Sequence, residues 1–275
     1  MLKFLKNKIV FIYTIFETRF FGSLIDTLEY YQFFREHSDE VYLLFVANLS
    51  KDKLFHFIKD IVDNKYTRFQ FDHVVFESIF EFQISLARQF KYLITLEYAT
   101  LDNFKHMLNA KNIIIVSENT SKQYFLKRPN VTYYTEMPFC YKDIDYKIKS
   151  YFDIYKKIDN FKDRLYVNYP KGNIEEVIDI AKKYSNGKEI LDKENNHNAN
   201  IHEEFSEYLY IKSPYWFDTH PRLFLECEYY HKPYYYVNEL NIKDGSWYRY
   251  HEIKERGIED HILDENDEIF RTIIS

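Results

Sequence analysis

The chain predicts an α/β fold built on parallel sheets, and three features predict it. Short β-branched runs alternate with longer stretches of helical period, the rhythm of strand–helix–strand units with helices on both faces of a sheet. Several of these runs are apolar on consecutive residues, as strands buried on both sides are. Hydrophobic residues make up 46% and charged residues 29% of 275 positions, enough to fill one large core or two small ones.

Residues 9–15 form the first strand, and 41–47 a second buried one. Between them, residues 23–35 carry Leu24, Leu28, Tyr31 and Phe34 at helical spacing. An amphipathic helix over 53–62, a short strand at 74–76 and a helix over 82–90 follow. Strands at 92–96 and 113–116 flank a helix over 101–108. The rhythm breaks near residues 130–146, where 131–134 is strand-like and Met137-Pro138-Phe139-Cys140 turns the chain. A helix over 146–158 then leads to a strand at 165–168, a helix over 174–184 and a short strand at 189–191. After the polar loop 192–200 come a strand at 208–211, a helix over 221–230 and a strand at 234–237. Residues 252–256 and 267–274 read as terminal helices. The sum is two Rossmann-like domains facing a cleft, residues 1–140 and 141–275, with no internal repeat.

Composition excludes several classes. The five glycines are Gly22, Gly172, Gly187, Gly245 and Gly257, so neither G-x-G-x-x-G nor a Walker A loop can be built. The formal net charge of −6, with acids and bases interspersed, gives no bulk attraction to a polyanion. Cys140 and Cys227 lack C-x-x-C spacing and read as buried free thiols of a reducing compartment. No apolar run reaches membrane-spanning length, and residues 1–8 lead into a strand, unlike a signal peptide. A cytoplasmic protein is expected, in the host cytoplasm if it is viral. The 27 Tyr and 25 Phe accompany abundant Lys, Asn and Ile, the mark of an AT-rich coding sequence, so the aromatic content is given little functional weight.

The passage from Phe217 to Cys227 concentrates the chemistry. Pro221 suits the first position of a helix, with Asp218 or Thr219 as its cap. His220 and Arg222 beside that N-terminus favour phosphates, and Glu226, one turn on, can accept hydrogen bonds from a sugar diol. Together they suggest a nucleotide-sugar site. The same residues admit plainer readings. Arg222 and Glu226 are four apart and can simply pair on the helix surface, Asp218 can be only a cap, and His220 can be structural.

With Asp218 and Glu226 separated by seven residues, the passage resembles the E-x7-E element of GT-B glycosyltransferases, with Asp in place of the first Glu. Leu225-Glu226-Cys227, then His231-Lys232-Pro233 and a strand, is similar to that family's helix-to-strand passage. Asn168-Tyr169-Pro170-Lys171-Gly172-Asn173 looks like a shortened form of its strand-to-helix loop: Lys171 and Gly172 match, and the phosphate-binding Arg is absent. Phe21-Gly22-Ser23-Leu24 resembles its entry to the first helix. The resemblance implies a nucleotide-sugar donor, UDP-linked by preference, held by Glu226 at the ribose, Arg222 and Lys171 near the diphosphate and Asp218 near the sugar. It implies a hydroxyl acceptor, either a hydroxymethylated base in phage DNA or a polysaccharide or small molecule. A non-catalytic nucleotide-binding or interaction protein is the alternative. On the transferase reading, Glu226→Ala abolishes nucleotide binding and leaves the fold intact.

A general base has to reach the acceptor hydroxyl. Glu17 and Glu97 each follow a strand, where parallel sheets place ligands, and Arg19 stands by to hold the acceptor or a phosphate. Each can equally be a plain loop residue. No cofactor is required; Asp143-Ile144-Asp145 has the D-x-D form of a metal site but reads as a helix-capping cluster, which leaves a divalent ion open. Tyr133-Tyr134, Tyr215-Trp216 and Trp247-Tyr248 are candidates for stacking on a base or sugar, and equally for packing. Engagement of DNA needs a basic face, for which Arg68, Arg88, Lys122, Lys127 and Arg128 are the candidates.

Overall fold

Two all-parallel sheets carry the chain, each in its own compact unit: residues Met1–Tyr151 with Ile262–Ser275, and Phe152–His261. The computed structural model describes residues 2–15, 22–79, 88–96, 111–116, 131–134, 140–142, 148–150, 154–168, 174–192, 201–212, 221–256, 271 and 273.

In the first unit, β1 (Ile9–Ile15) lies between β2 (Val41–Ala47) and β4 (Tyr92–Thr95). β3 (Val74–Ser78) lies outside β2, and β5 (Ile113–Val116) and β6 (Val131–Tyr134) extend the other side. The order 3-2-1-4-5-6 is that of a Rossmann sheet. All seven residues of β1 are buried, as a central parallel strand requires. Register aligns Tyr13 with Phe45 and Phe45 with Phe76, a cross-strand aromatic row on one face. That face is covered by α1 (Gly22–His37) and α2 (Lys51–Lys65). Tyr13 is hydrogen-bonded to Ser23 at 2.9 Å, Phe11 meets Phe34 at 5.5 Å and Phe76 meets Phe55 at 5.7 Å. α2 follows its caps and period: Ser50 accepts from the Lys53 amide, and Leu54, Ile58, Ile61 and Val62 form its buried stripe. α1 is buried almost all round, so its polar side chains need partners inside: Glu29 accepts from the Tyr66 hydroxyl at 3.0 Å and Gln32 from the Gln70 amide at 2.8 Å. Gly22 opens α1, but an added Cβ there meets nothing within 4 Å, so this entry does not depend on glycine.

The helix expected over 146–158 is not formed. Instead β7 (Cys140–Lys142) pairs antiparallel with β8 (Ile148–Ser150), and residues 156–162 have no regular structure. Lys147-Ile148-Lys149 alternates polar and apolar around a β-branched residue, a two-residue period that suits a strand better than a helix. The helix-capping role given to Asp143 and Asp145 lapses with it; both lie outside the described residues. The expected helices over 82–90 and 101–108 lie wholly or almost wholly outside them too.

In the second unit, β9 (Arg164–Asn168) lies between β10 (Glu189–Asp192) and β11 (Glu207–Ile211), with β12 (Tyr234–Val237) beyond β11. The period of two sorts side chains by kind. Leu165, Val167, Leu209, Ile211 and Val237 face α3 (Ile174–Tyr184), where Ile180 and Ala181 complete an aliphatic core. The intervening Tyr166, Tyr208, Tyr210, Tyr234 and Tyr236 form an aromatic face. Phe224 of α4 (Arg222–Tyr229) packs on it, 5.4 Å from Tyr210 and 5.8 Å from Tyr208. Tyr250 of α5 (Gly245–Arg256) lies 5.3 Å from both Phe224 and Tyr236.

Leu209 is fully buried on the central strand of the aliphatic core. Leu209→Ala is expected to cost about 3 kcal/mol through lost burial and the cavity left behind. Urea denaturation measures it, and a midpoint equal to wild type would contradict this account of the core.

Candidate functional site

The centre of interest is the helix α4 and what surrounds it within the second unit. The helix begins at Arg222, not at Pro221. Pro221 has ψ of 102°, outside the helical range, so it stands at the cap position, where its own side chain offers the helix no capping hydrogen bond. At the other end, the Lys232 amide bonds to the Cys227 carbonyl and the His231 amide to that of Glu228, with His231 at φ 54°. That is a Schellman ending with histidine in the left-handed position glycine usually takes. It turns the chain so that Lys232 packs back beneath the helix.

Glu226 is buried, 3% exposed, and both its oxygens are engaged. Arg222 Nε donates to Oε1 at 2.5 Å, and the Tyr155 hydroxyl donates to the same oxygen at 3.3 Å. His202 Nε2 meets Oε2; an ionised carboxylate only accepts, so Nε2 carries the proton in this contact. Arg222 also donates through a terminal nitrogen to the Tyr155 oxygen. Thus the i,i+4 pair anticipated from spacing forms, but inside the protein, joined by a tyrosine from residues 154–155 and a histidine from the short 3-10 turn Ile201–Glu203. Burial makes this carboxylate depend on its partners, since an unpaired buried charge is costly.

Lys232 lies next to the cluster, almost fully buried. Its ammonium donates to the His202 carbonyl and, at 2.7 Å, to that of Phe205. It also sits 3.9 Å from the Phe205 ring centroid and 4.1 Å from that of Phe161. Burial lowers its pKa to about 8, against the opposing pull of Cys227 and Glu226. The Cys227 thiol is fully buried, and burial pushes its pKa up, so it is chemically quiet. The side chain of Cys140 lies outside the described residues.

Of the residues singled out from the sequence, Arg222 and Glu226 are therefore brought together. Glu17, Arg19, Glu97, Lys171, Gly172, Asp218 and His220 lie outside the described residues, as do Tyr215-Trp216, Lys122, Lys127 and Arg128. Their places in the chain relative to the strands are nevertheless informative. In the six-stranded sheet the order reverses between β1 and β4, and Glu17 and Glu97 each come two residues after one of these strands. In the four-stranded sheet it reverses between β9 and β11, followed in sequence by the segments holding Lys171-Gly172 and Asp218. Ligands of open parallel sheets bind at such reversals. Of the candidates for a basic face, Arg68 is paired with Glu36 at 3.1 Å, and Arg88 is exposed. Trp247 lies 4.2 Å from His251 and 4.7 Å from the Lys243 ammonium, while Tyr248 is exposed.

Sequence reasoning missed Tyr155, His202 and Lys232. Tyr155 was absorbed into a helix that does not form, and nothing in local spacing marks His202. Lys232 stood in the His231-Lys232-Pro233 passage with no role of its own. Among the described residues no group of His, Cys, Asp and Glu is arranged to hold a metal, and no helix is long and apolar enough to cross a membrane. Compared with known proteins, the chain matches no family model, no curated protein and no solved structure.

The buried setting of Glu226 changes the expected outcome of its removal. Glu226→Ala leaves Arg222 and His202 without their shared carboxylate and is expected to destabilise the fold by about 3–5 kcal/mol. A melting temperature equal to wild type would show that the cluster is not the buried network described.

Lys232 gives a pH signature. Its pKa is about 8 in the folded protein against an ordinary 10.5, so above pH 8 the unfolded chain holds a proton that the folded one has shed. Stability therefore rises with pH from about 8. The rise is opposed above 9.0, the ordinary pKa of the Cys227 thiol, which ionises more readily once unfolded. Urea midpoints between pH 8 and 9 should climb in wild type relative to Lys232→Met; parallel curves for the two proteins would rule this out.

Proposed function

We propose that the protein is a nucleotide-sugar-dependent glycosyltransferase of GT-B type, moving a sugar, UDP-linked by preference, to a hydroxyl acceptor. The observation that carries this reading is the second unit's parallel sheet: its order reverses between β9 and β11, and α4, bearing Arg222 and Glu226, leads into its last strand. In this reading Lys171 and Gly172 follow β9 and meet the diphosphate, while Asp218 and His220 follow β11 and approach the sugar. Arg222 contributes charge to the diphosphate and Glu226 binds the ribose. The two-domain GT-B arrangement belongs to the same proposal, with the first unit supplying the acceptor side.

The chemistry divides accordingly. The donor site neutralises the leaving diphosphate with Lys171 and Arg222, which lowers the barrier to cleavage of the bond between sugar and phosphate. For an inverting transfer, Glu17 or Glu97 takes the proton of the acceptor hydroxyl as it attacks the anomeric carbon, and Arg19 orients the acceptor. A negative net charge favours a polysaccharide or small-molecule acceptor over modified phage DNA, which would need a basic face. One observation favours the alternative of a non-catalytic interaction protein: Glu226, the residue assigned to the ribose, is already enclosed by Arg222, Tyr155 and His202.

Thermal denaturation with UDP, GDP, dTDP and ADP tests the reading. A nucleotide at a hundredfold its Kd is expected to add about 2.7 kcal/mol of stability. Lys171→Ala and Asp218→Asn should shrink that gain without lowering the ligand-free melting temperature. If none of the four raises the melting temperature, the transferase reading fails. If one does, release of nucleoside diphosphate from the matching nucleotide-sugar separates an enzyme from a binding protein. Salt-dependent binding to hydroxymethylated duplex DNA separates the acceptor classes.

A further inference from the structure

We propose that the Tyr155 hydroxyl is an internal occupant of the Glu226 carboxylate, holding the place that a ribose hydroxyl takes when a nucleotide arrives. The proposal rests on the nucleotide-sugar reading and adds a means of regulation to the same site. A sugar hydroxyl recognised by an arginine–carboxylate pair donates to the carboxylate and accepts from the guanidinium. The Tyr155 oxygen does both: it donates to Glu226 Oε1 and accepts from Arg222.

Its hold on the carboxylate is the exchangeable one. At 3.3 Å it is longer than the 2.5 Å bond from Arg222, and its donor is neutral where that of Arg222 is charged. Replacing it leaves Arg222 and His202 in place, so the carboxylate stays compensated throughout. The exchange has a mechanical consequence. Tyr155 packs edge-on against Tyr229 at 5.8 Å and stacks on Tyr230 at 6.4 Å, and the Tyr230 hydroxyl donates to the Lys156 carbonyl at 3.2 Å. Residues 154–156 are thereby fastened to the C-terminal end of α4, close to where the chain enters the second unit at Phe152. Displacing the hydroxyl removes the hydrogen bonds by which Tyr155 itself holds Glu226 and Arg222 of α4, leaving residues 154–156 with the ring contacts and the Tyr230 bond alone, so occupancy of the ribose site is transmitted to residues 154–156.

The test compares UDP, GDP and ADP with their 2′,3′-dideoxy forms on wild type and Tyr155→Phe by titration calorimetry. Tyr155→Phe keeps the ring and removes the competing hydroxyl. The ribonucleotide that binds wild type should bind the variant about three- to tenfold more tightly, as loss of a hydrogen bond to a charged group implies. The dideoxy form, with no hydroxyl to place at Glu226, should gain nothing. Equal or weaker ribonucleotide binding to the variant, or an equal gain for the dideoxy form, overturns the proposal while leaving nucleotide binding standing. If no nucleotide binds either protein, the nucleotide-sugar reading falls and this proposal with it. Should Tyr155→Phe fail to fold, hydrogen exchange on wild type decides: saturating nucleotide is expected to speed exchange of the amides at 154–158, and unchanged exchange overturns the proposal.

Discussion

A parallel strand cannot return to its neighbour without the chain crossing a face of the sheet, and most of this protein's architecture follows from that. The crossovers leave β1 buried on all seven residues, the polar Thr14 included. They also compel a break in strand order wherever the chain passes from one side of its first strand to the other. That happens between β1 and β4 in one sheet and between β9 and β11 in the other. Glu17, Arg19, Glu97, Lys171, Gly172, Asp218 and His220 all fall in segments that follow one of these four strands in sequence.

The second unit shows what it takes to bury charge beside such a sheet. Glu226, His202 and Lys232 are removed from water within a single neighbourhood, with Arg222 partly buried beside them. Each is matched by a group from another part of the chain: the Tyr155 hydroxyl, the carbonyls of His202 and Phe205, and the aromatic faces of Phe161 and Phe205. Low polarity strengthens each of these contacts and raises the cost of losing any one, so the members act as a unit. The cluster ties α4 to the 3-10 turn at Ile201–Glu203 and to residues 154–156, and so stabilises the helix that the functional proposal depends on.

The aromatic richness, discounted as coding bias, has a definite place. Tyr208-Leu209-Tyr210-Ile211 and Tyr234-Tyr235-Tyr236-Val237 alternate, and the sheet sorts them into an aliphatic face under α3 and a tyrosine face under α4 and α5. That alternation was legible in the strands themselves once they were read two residues at a time. The strand Ile148–Ser150 is legible in the same way, from the alternation of polar and apolar residues at 147–149, although the apolar residues further along also suit a helical period.

Outside residues 140–158, the succession of the described strands and α-helices followed from the sequence alone, because burial on both faces and the period of 3.6 leave marks in consecutive residues. Ile9–Ile15, Val41–Ala47, Ile174–Tyr184 and Tyr234–Val237 were each readable to the residue. The Arg222–Glu226 pair was readable too, since four residues make one helical turn. Whether that pair faced water or the interior was not readable, because Tyr155 lies 71 residues and His202 lies 24 residues away from Glu226 along the chain. Local periodicity carries no record of such distances. Only the folded sheet, by placing β9 beside β11, brings those side chains to one carboxylate.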